Sequence, residues 1–191
     1  MYIPKLTNMR PLFSLIFCIS LSTAFSQTLP DFDKIKLETA ADYRAADSVA
    51  LTASNFLLIR PFDFNDINNV TSQLFILKWM SGTPDYGFTF ADVTSKILND
   101  KRDLTGLYLA CLVKFCLENK SSAKDQNIIK LNSLKFLLTY CENPLNKVKM
   151  TKQLKKLSEA NKKGELEKEL WDVPCAQHRI ADKWGLTHIS S

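Results

Sequence analysis

The segment from residue 103 to 119, DLTGLYLACLVKFCLEN, constrains the fold more than any other part of this chain. From Leu107 to Leu117 only Lys114 is strongly polar, so a helix formed here is apolar on nearly all sides. Such a helix must be surrounded by other helices or by lipid. Because this run is too short to cross a bilayer, which takes about 20 residues, the sequence predicts a helix at the centre of a bundle.

Helical periodicity also runs through the chain after residue 26, and no segment shows the alternation bounded by turn residues that a strand needs. A first helix is predicted from about Glu38 to Leu58, ending ahead of Pro61 because a proline restricts the residue before it. Short connections between the segments favour antiparallel neighbours. The predicted fold is therefore an all-α antiparallel bundle of five or six helices around the central one.

The second predicted helix starts after a cap at Asn65 or Asp66 and carries apolar residues at helical spacing. These residues are expected to face the core: Ile67, Val70, Leu74, Leu77 and Met80. Ser122 and Asp125 have the spacing of a capping box, which predicts the start of a later helix.

The first 26 residues have the three-part layout of a secretory signal peptide. Lys5 and Arg10 form a basic region, an uncharged apolar run follows from Leu12 to Phe25, and small residues precede Gln27. That run is short for a membrane span, which takes about 20 residues, so a cleaved signal is favoured over a retained anchor. The sequence predicts export to the periplasm or the extracellular space.

Cleavage before Gln27 leaves residues 27–170 as one helical domain and 171–191 as a C-terminal extension that could start a short helix. It also removes two cations and no anions, so the formal net charge falls from +5 to +3. That balance does not indicate nucleic acid as a partner. We expect no stable membrane span after cleavage.

Four of the five cysteines follow the predicted signal, and an exported chain favours disulfides. Cys111 and Cys116 lie on one predicted helix with their side chains on different faces, too far apart to bridge. In an antiparallel hairpin, Cys141 is also out of register with Cys111. Buried free thiols are therefore expected, and a bridge between Cys141 and Cys175 is the one pairing left open.

No residue pattern indicates catalysis, a cofactor or a metal. His178 and His188 lie near the C-terminus with Cys175, but a zinc site needs three or four ligands in closed geometry, so a surface histidine pair is favoured. The predicted core contains no histidine, which removes the commonest general base. Capping explains the aspartates at predicted helix starts and turns: Asp31, Asp33, Asp63, Asp66 and Asp85.

The loop KWMSGTPDYGFTF, after the second predicted helix, places four aromatic rings around a turn. Three rings have structural explanations, because Trp79 ends one helix and Phe88 and Phe90 precede the next. Tyr86, beside Gly87, is predicted to face solvent. Since loops often carry function, the candidate ligand or partner loop consists of Trp79, Tyr86 and Phe88.

A Lys-rich stretch from 147 to 163 precedes an acidic one, and Gly164 is expected to interrupt the helix between them. A basic amphipathic helix can contact an anionic membrane surface or an acidic partner. The candidate basic contact face consists of Lys152, Lys155 and Lys156, although the sparse apolar side favours an ordinary solvated face.

Four stretches resemble a small secreted helical family of Bacteroidota: LPDFDKIKLETAADYRAADSVALTASNFLL, FILKWMSGTPDY, LENKSSAKDQNIIKLNSLK and KMTKQLKKLSEANKKGELEKEL. The signal ending AFSQ is also similar to those of that group. The resemblance covers about residues 27–170 and implies an exported location and that lineage. It implies no activity and no site.

We therefore expect a non-enzymatic exported protein that binds an unknown protein partner. An alternative is a carrier of a small molecule or lipid, with a pocket between helices near the loop 79–90. A hydrolase that uses two carboxylates is favoured less, because a glycosidase needs acidic groups about 5 to 9.5 Å apart and the sequence places no such pair.

Overall fold

The computed structural model describes residues 29–99 and 101–171. Within these ranges the backbone forms eight α-helices and no strand, which confirms the predicted all-α class. The helices are α1 (Ala40–Ala45), α2 (Asp47–Leu58), α3 (Ile67–Gly82), α4 (Ala91–Lys96), α5 (Arg102–Glu118), α6 (Gln126–Glu142), α7 (Lys152–Lys162) and α8 (Leu166–Trp171). Short 3₁₀ turns lie at Phe32–Lys34 and Pro144–Asn146. In this part of the chain no helix has both the length and the hydrophobicity to span a bilayer.

The centre of the bundle is α5, as its apolar sequence predicts. Most of its residues are buried, and α2, α3 and α6 pack around it. Its one strongly polar interior residue reaches the edge of the core, where Lys114 Nζ lies 2.5 Å from Glu118 Oε1 and 2.7 Å from Asn55 Oδ1. The ammonium group therefore has partners, which a partly buried charge requires.

The predicted helix from Glu38 to Leu58 is two helices in the structure, because the regular α-helix is interrupted at Ala46. Thr39 and Asp42 form a capping box that starts α1. The predicted end at Leu58, ahead of the proline, is confirmed. The interruption lets α2 follow the core while α1 contacts both α2 and α3.

The prediction for α3 is wrong about which face is buried. Ile67, Leu74 and Leu77, expected in the core, are 68%, 60% and 46% exposed. The buried residues of α3 are Asn69, Ser72, Phe75, Ile76 and Trp79. Both faces carry apolar residues, and aromatic rings bury more area than aliphatic side chains. The face with Phe75 and Trp79 is therefore the one that turns inward.

Two helix starts depend on aspartate side chains. The predicted cap at Asp66 is confirmed, since its carboxylate accepts a hydrogen bond from the Asn68 N–H at 2.9 Å. The predicted capping box at Ser122 is wrong, because Asp125 is itself the N-cap of α6 and accepts from two backbone N–H groups. Aspartate is among the best N-caps, and here it satisfies two of the donors that a helix start leaves free.

The predicted interruption at Gly164 is confirmed. The helix α7 ends at Lys162, and Gly164 has a φ of +75°, in the left-handed region that favours glycine. The Glu165 N–H donates to the Ala160 carbonyl at 2.8 Å, and the Gly164 N–H donates to the Asn161 carbonyl at 3.1 Å. This is the pairing of a Schellman motif, and it lets α8 turn back to pack on α6 and α7.

Candidate functional site

The candidate aromatic loop brings its three rings together. Trp79 is fully buried, and its ring centroid lies 5.9 Å from that of Tyr86 and 6.2 Å from that of Phe88. The centroids of Tyr86 and Phe88 are 6.5 Å apart. These distances are ordinary for packed aromatic side chains, so each ring serves as a packing partner for the other two.

Tyr86 does not stand free in solvent as predicted, because its side chain is half-buried and contacts Trp79. Burial raises the pKa of the Tyr86 phenol above its usual range. The indole N–H of Trp79 donates to the Tyr43 carbonyl at 3.1 Å, which satisfies the only donor of that ring. The loop packs back onto the core.

Polar contacts fasten the same loop at two points. The Arg44 guanidinium in α1 holds the Asp85 carboxylate, with Nε–Oδ2 at 2.8 Å and Nη2–Oδ1 at 2.9 Å. This hydrogen bonding lowers the pKa of Asp85. At the start of α6, Gln126 donates to the Gly87 carbonyl at 2.8 Å and accepts from the Thr89 hydroxyl at 2.9 Å. These contacts describe a connector held in one conformation.

The candidate basic face on α7 is only partly free. Lys156 Nζ lies 2.5 Å from Glu169 Oε2 of α8, so one of the three lysines is paired within the fold. Lys152 and Lys155 are exposed and make no ion pair with a described residue. The opposite side of α7 packs on α6 and α8, which is the arrangement of an ordinary amphipathic helix.

Most of the aspartates singled out in the sequence have local structural roles. Asp31 caps the turn Phe32–Lys34, and Asp66 caps α3. The Asp63 carboxylate accepts from a backbone N–H at 2.8 Å, and Asp85 pairs with arginine as described above. Bonds to the local backbone therefore account for Asp31, Asp63 and Asp66, as the sequence predicts, whereas Asp85 pairs with Arg44 instead of capping a helix.

Three core thiols are free, as predicted: Cys111, Cys116 and Cys141. Burial raises the pKa of both Cys116 and Cys141 to about 12, and it raises the pKa of Cys111 as well. A thiol acts as a nucleophile only when it is ionised. These three groups are therefore packing residues at neutral pH.

The other candidate metal ligands of the sequence, Cys175, His178 and His188, lie outside the described residues. The open pairing of Cys141 with Cys175 also lies outside them. Across residues 29–99 and 101–171, no three side chains that commonly bind metals come together.

Sequence reasoning missed an exposed apolar surface, the α3 outer face, which we define as Ile67, Leu74 and Leu77. The three side chains extend along about 15 Å of helix. Single exposed apolar residues are common on proteins, whereas a contiguous set often marks an interaction site. Helical spacing placed these three residues on one face of the helix, but it wrongly predicted that this face points inward.

A groove of about 440 Å³ adjoins the α3 outer face. The turn Phe32–Lys34 forms one wall, and Phe32 stacks on Phe75 of α3 with ring centroids 4.7 Å apart. Leu74 lines the groove and also belongs to the outer face, so the two surfaces are continuous. Asp33 and Lys78 line it too, both exposed and without an ion pair to a described residue.

The buried side of α3 is unusually polar. Asn69 and Ser72 are almost fully buried, and the Asn69 Oδ1 and Ser72 Oγ atoms have no hydrogen-bond partner among the described residues. The Asn69 amide does donate to the Asp63 carbonyl at 3.0 Å. A surface helix normally turns its polar side outward, so α3 combines polar groups inside with apolar groups outside.

Comparisons of the chain with protein-family models, with curated proteins and with solved structures each give no match.

Proposed function

We propose that this protein is a non-enzymatic module that binds another protein through the α3 outer face and the groove beside it. The exposure of Ile67, Leu74 and Leu77 carries this proposal. Complete burial of one such side chain contributes roughly 1.5–3 kcal/mol relative to full exposure. Together, the three side chains along α3 supply the apolar centre that small interfaces use.

The proposed occupant is one amphipathic helix of the partner protein, lying along α3. Helices that bind in grooves use apolar anchors spaced over successive turns, and Ile67 and Leu74 are two turns apart on α3. The groove lined by Leu74 has room for a large side chain of the partner. Asp33 and Lys78, which pair with no described residue, would meet a basic and an acidic group of that helix, which would fix its direction.

We further propose that the protein acts after export, in the periplasm or outside the cell. The signal-like pattern of residues 1–26 and the resemblance to a secreted Bacteroidota family support this. Intact-mass analysis of the protein from its native host tests it. A mature chain that begins at Gln27 is expected. A chain that keeps its first 26 residues would instead indicate a retained membrane anchor.

Photo-crosslinking tests the binding surface. A photoreactive amino acid is placed at Leu74 and, as a matched control, at Leu145, which is 73% exposed and lies after α6. The captured protein is identified, purified and titrated against the wild type, Leu74→Glu/Leu77→Glu and Leu145→Glu. The double variant is expected to bind at least about tenfold more weakly, equivalent to roughly 1.4 kcal/mol, while Leu145→Glu binds as the wild type does.

Three results would overturn the proposal. Equal crosslinking at both positions would mean that the outer face has no special role. A crosslink from one copy of this chain to another would replace the partner with self-association. A small molecule that co-purifies with the protein and is lost on Tyr86→Ala, measured by native mass spectrometry, would favour the carrier with its mouth at the aromatic loop.

A further inference from the structure

A second cavity, of about 270 Å³, lies between the start of α5 and the segment that follows α6. We call it the lysine cleft, because Lys101, Lys147 and Lys149 line it together. Tyr140 and Asn146 also line it and are 4% and 8% exposed. The Asn146 amide donates to the Tyr140 carbonyl at 2.9 Å. This hydrogen bond holds the Asn146 side chain in place in the lining of the cleft.

The charge of the lysine cleft is unbalanced. Its three lysines make no ion pair with a described residue. Among the described residues that line it only Asp103 is acidic, which gives these residues a formal charge of +2. Lys101, Lys147 and Lys149 are each exposed to solvent. Clustered like charges in a concave site raise the local potential and attract ions of opposite sign.

The backbone conformation of Lys147 is a separate sign that its side chain matters. It has a φ of +54°, in the left-handed region where glycine or asparagine is the usual residue. The chain enters this conformation directly after the turn Pro144–Asn146. This turn brings Lys147 into the lining of the cleft together with Lys149.

The start of α5 adds to the positive potential of the cleft. Lys101 is the N-cap of this helix, and its own side chain makes no capping hydrogen bond. The N–H groups and the dipole at a helix start favour an anion. Asp103 in the first turn offsets part of this effect, and the remaining charge of +2 suits a dianion.

We propose that the lysine cleft binds a phosphate group, either free or as a phosphomonoester. The cavity is larger than the phosphate itself, so it can also hold part of the molecule that carries the group. Lys101, Lys147 and Lys149 would contact the phosphate oxygens, as lysines commonly do in phosphate sites. This site is independent of the α3 outer face, and either proposal can fail without the other.

Calorimetric titration with inorganic phosphate and with methyl phosphate at low ionic strength tests the proposal. The variants are Lys147→Ala/Lys149→Ala and the control Lys152→Ala/Lys155→Ala, which removes the same charge from α7. Saturable binding to the wild type is expected, with a loss of at least about tenfold in the first variant and little change in the control. Asp103→Asn should tighten binding, because it removes the one negative charge in the cleft. Circular dichroism of each variant verifies that it is folded.

Equal weakening in both double variants would show general charge screening and would overturn the proposal, as would the absence of saturable binding to the wild type. A second arm distinguishes the source of the phosphate. Vesicles containing phosphatidic acid are compared with vesicles of phosphatidylcholine alone. Binding to the first kind only, with loss on Lys147→Ala/Lys149→Ala, would assign the group to a lipid, whereas binding of phosphate without vesicle binding would assign it to a soluble ligand.

Discussion

Tyr108 and Tyr140 are both buried, but among the described residues only the Tyr140 hydroxyl has hydrogen-bond partners. It donates to the Arg60 carbonyl at 2.9 Å and accepts from the Phe62 N–H at 2.9 Å. These bonds hold the connector after α2 against α6. The Tyr108 hydroxyl, within α5, is removed from water without gaining a hydrogen bond to a described residue, so its burial costs free energy.

We expect Tyr140→Phe to lower the free energy of unfolding by about 1–2 kcal/mol, because it leaves a partly buried donor, the Phe62 N–H, and a partly buried acceptor, the Arg60 carbonyl, without this partner. Tyr108→Phe removes a hydroxyl that bonds to no described residue and is expected to be neutral or slightly stabilising. Urea unfolding followed by circular dichroism measures both. Equal losses in the two variants would contradict this account of the hydroxyl groups.

At the scale of helices, local sequence signals predicted where a helix begins and ends better than they predicted which side of it is buried. Proline, glycine and aspartate gave the end of α2, the break at Gly164 and the cap at Asp66, because each acts on the backbone next to it. The inward face of α3 could not be predicted in this way. It depends on which neighbouring helices are available to cover Phe75 and Trp79, and the periodicity of one segment does not contain that information.

The start of α6 gives a test of one corrected prediction. Asp125→Ala removes the observed cap and is expected to destabilise the protein by about 1 kcal/mol. Ser122→Ala, at the cap position that the sequence favoured, should change the free energy of unfolding by only about 0.3 kcal/mol. Thermal and urea unfolding of both variants decide between the two positions, and a larger effect at Ser122 would restore the capping box.

At the scale of the whole molecule, the core keeps its thiols protonated. With Cys175→Ser present, the three core thiols are expected to react with a thiol reagent at pH 8 only when the protein unfolds, because burial raises the pKa of Cys116 and Cys141 to about 12. Rapid reaction of the folded variant would contradict their burial.

The same shift predicts how stability depends on pH. An unfolded thiol ionises near pH 8.5, whereas the folded one stays protonated up to about pH 12 at Cys116. The contribution of the protonated Cys116 thiol to the free energy of unfolding is therefore complete below about pH 8.5. It is lost as the pH rises toward the pKa of this thiol in the folded protein. Cys116→Ala should show a shallower fall in unfolding free energy above that pH, and an identical slope would contradict the linkage.

The candidate sites differ in how far the sequence could reveal them. The aromatic loop was visible because its rings are close together in the chain, but its polar fastening joins residues far apart, such as Arg44 to Asp85 and Gln126 to Thr89. The lysine cleft also draws on separate segments that only the tertiary fold brings together. Composition and periodicity predicted the class of fold, while both proposed binding surfaces depend on how the helices are arranged.

The central position of α5 has a consequence for the order in which the chain folds. Only a short turn separates α5 from α6, whereas α2 and α3 precede α5 by a longer stretch of chain. Local contacts generally form faster than distant ones, so the α5–α6 hairpin is expected to fold first and the N-terminal helices to join it later. During synthesis those helices emerge before the helix that covers them.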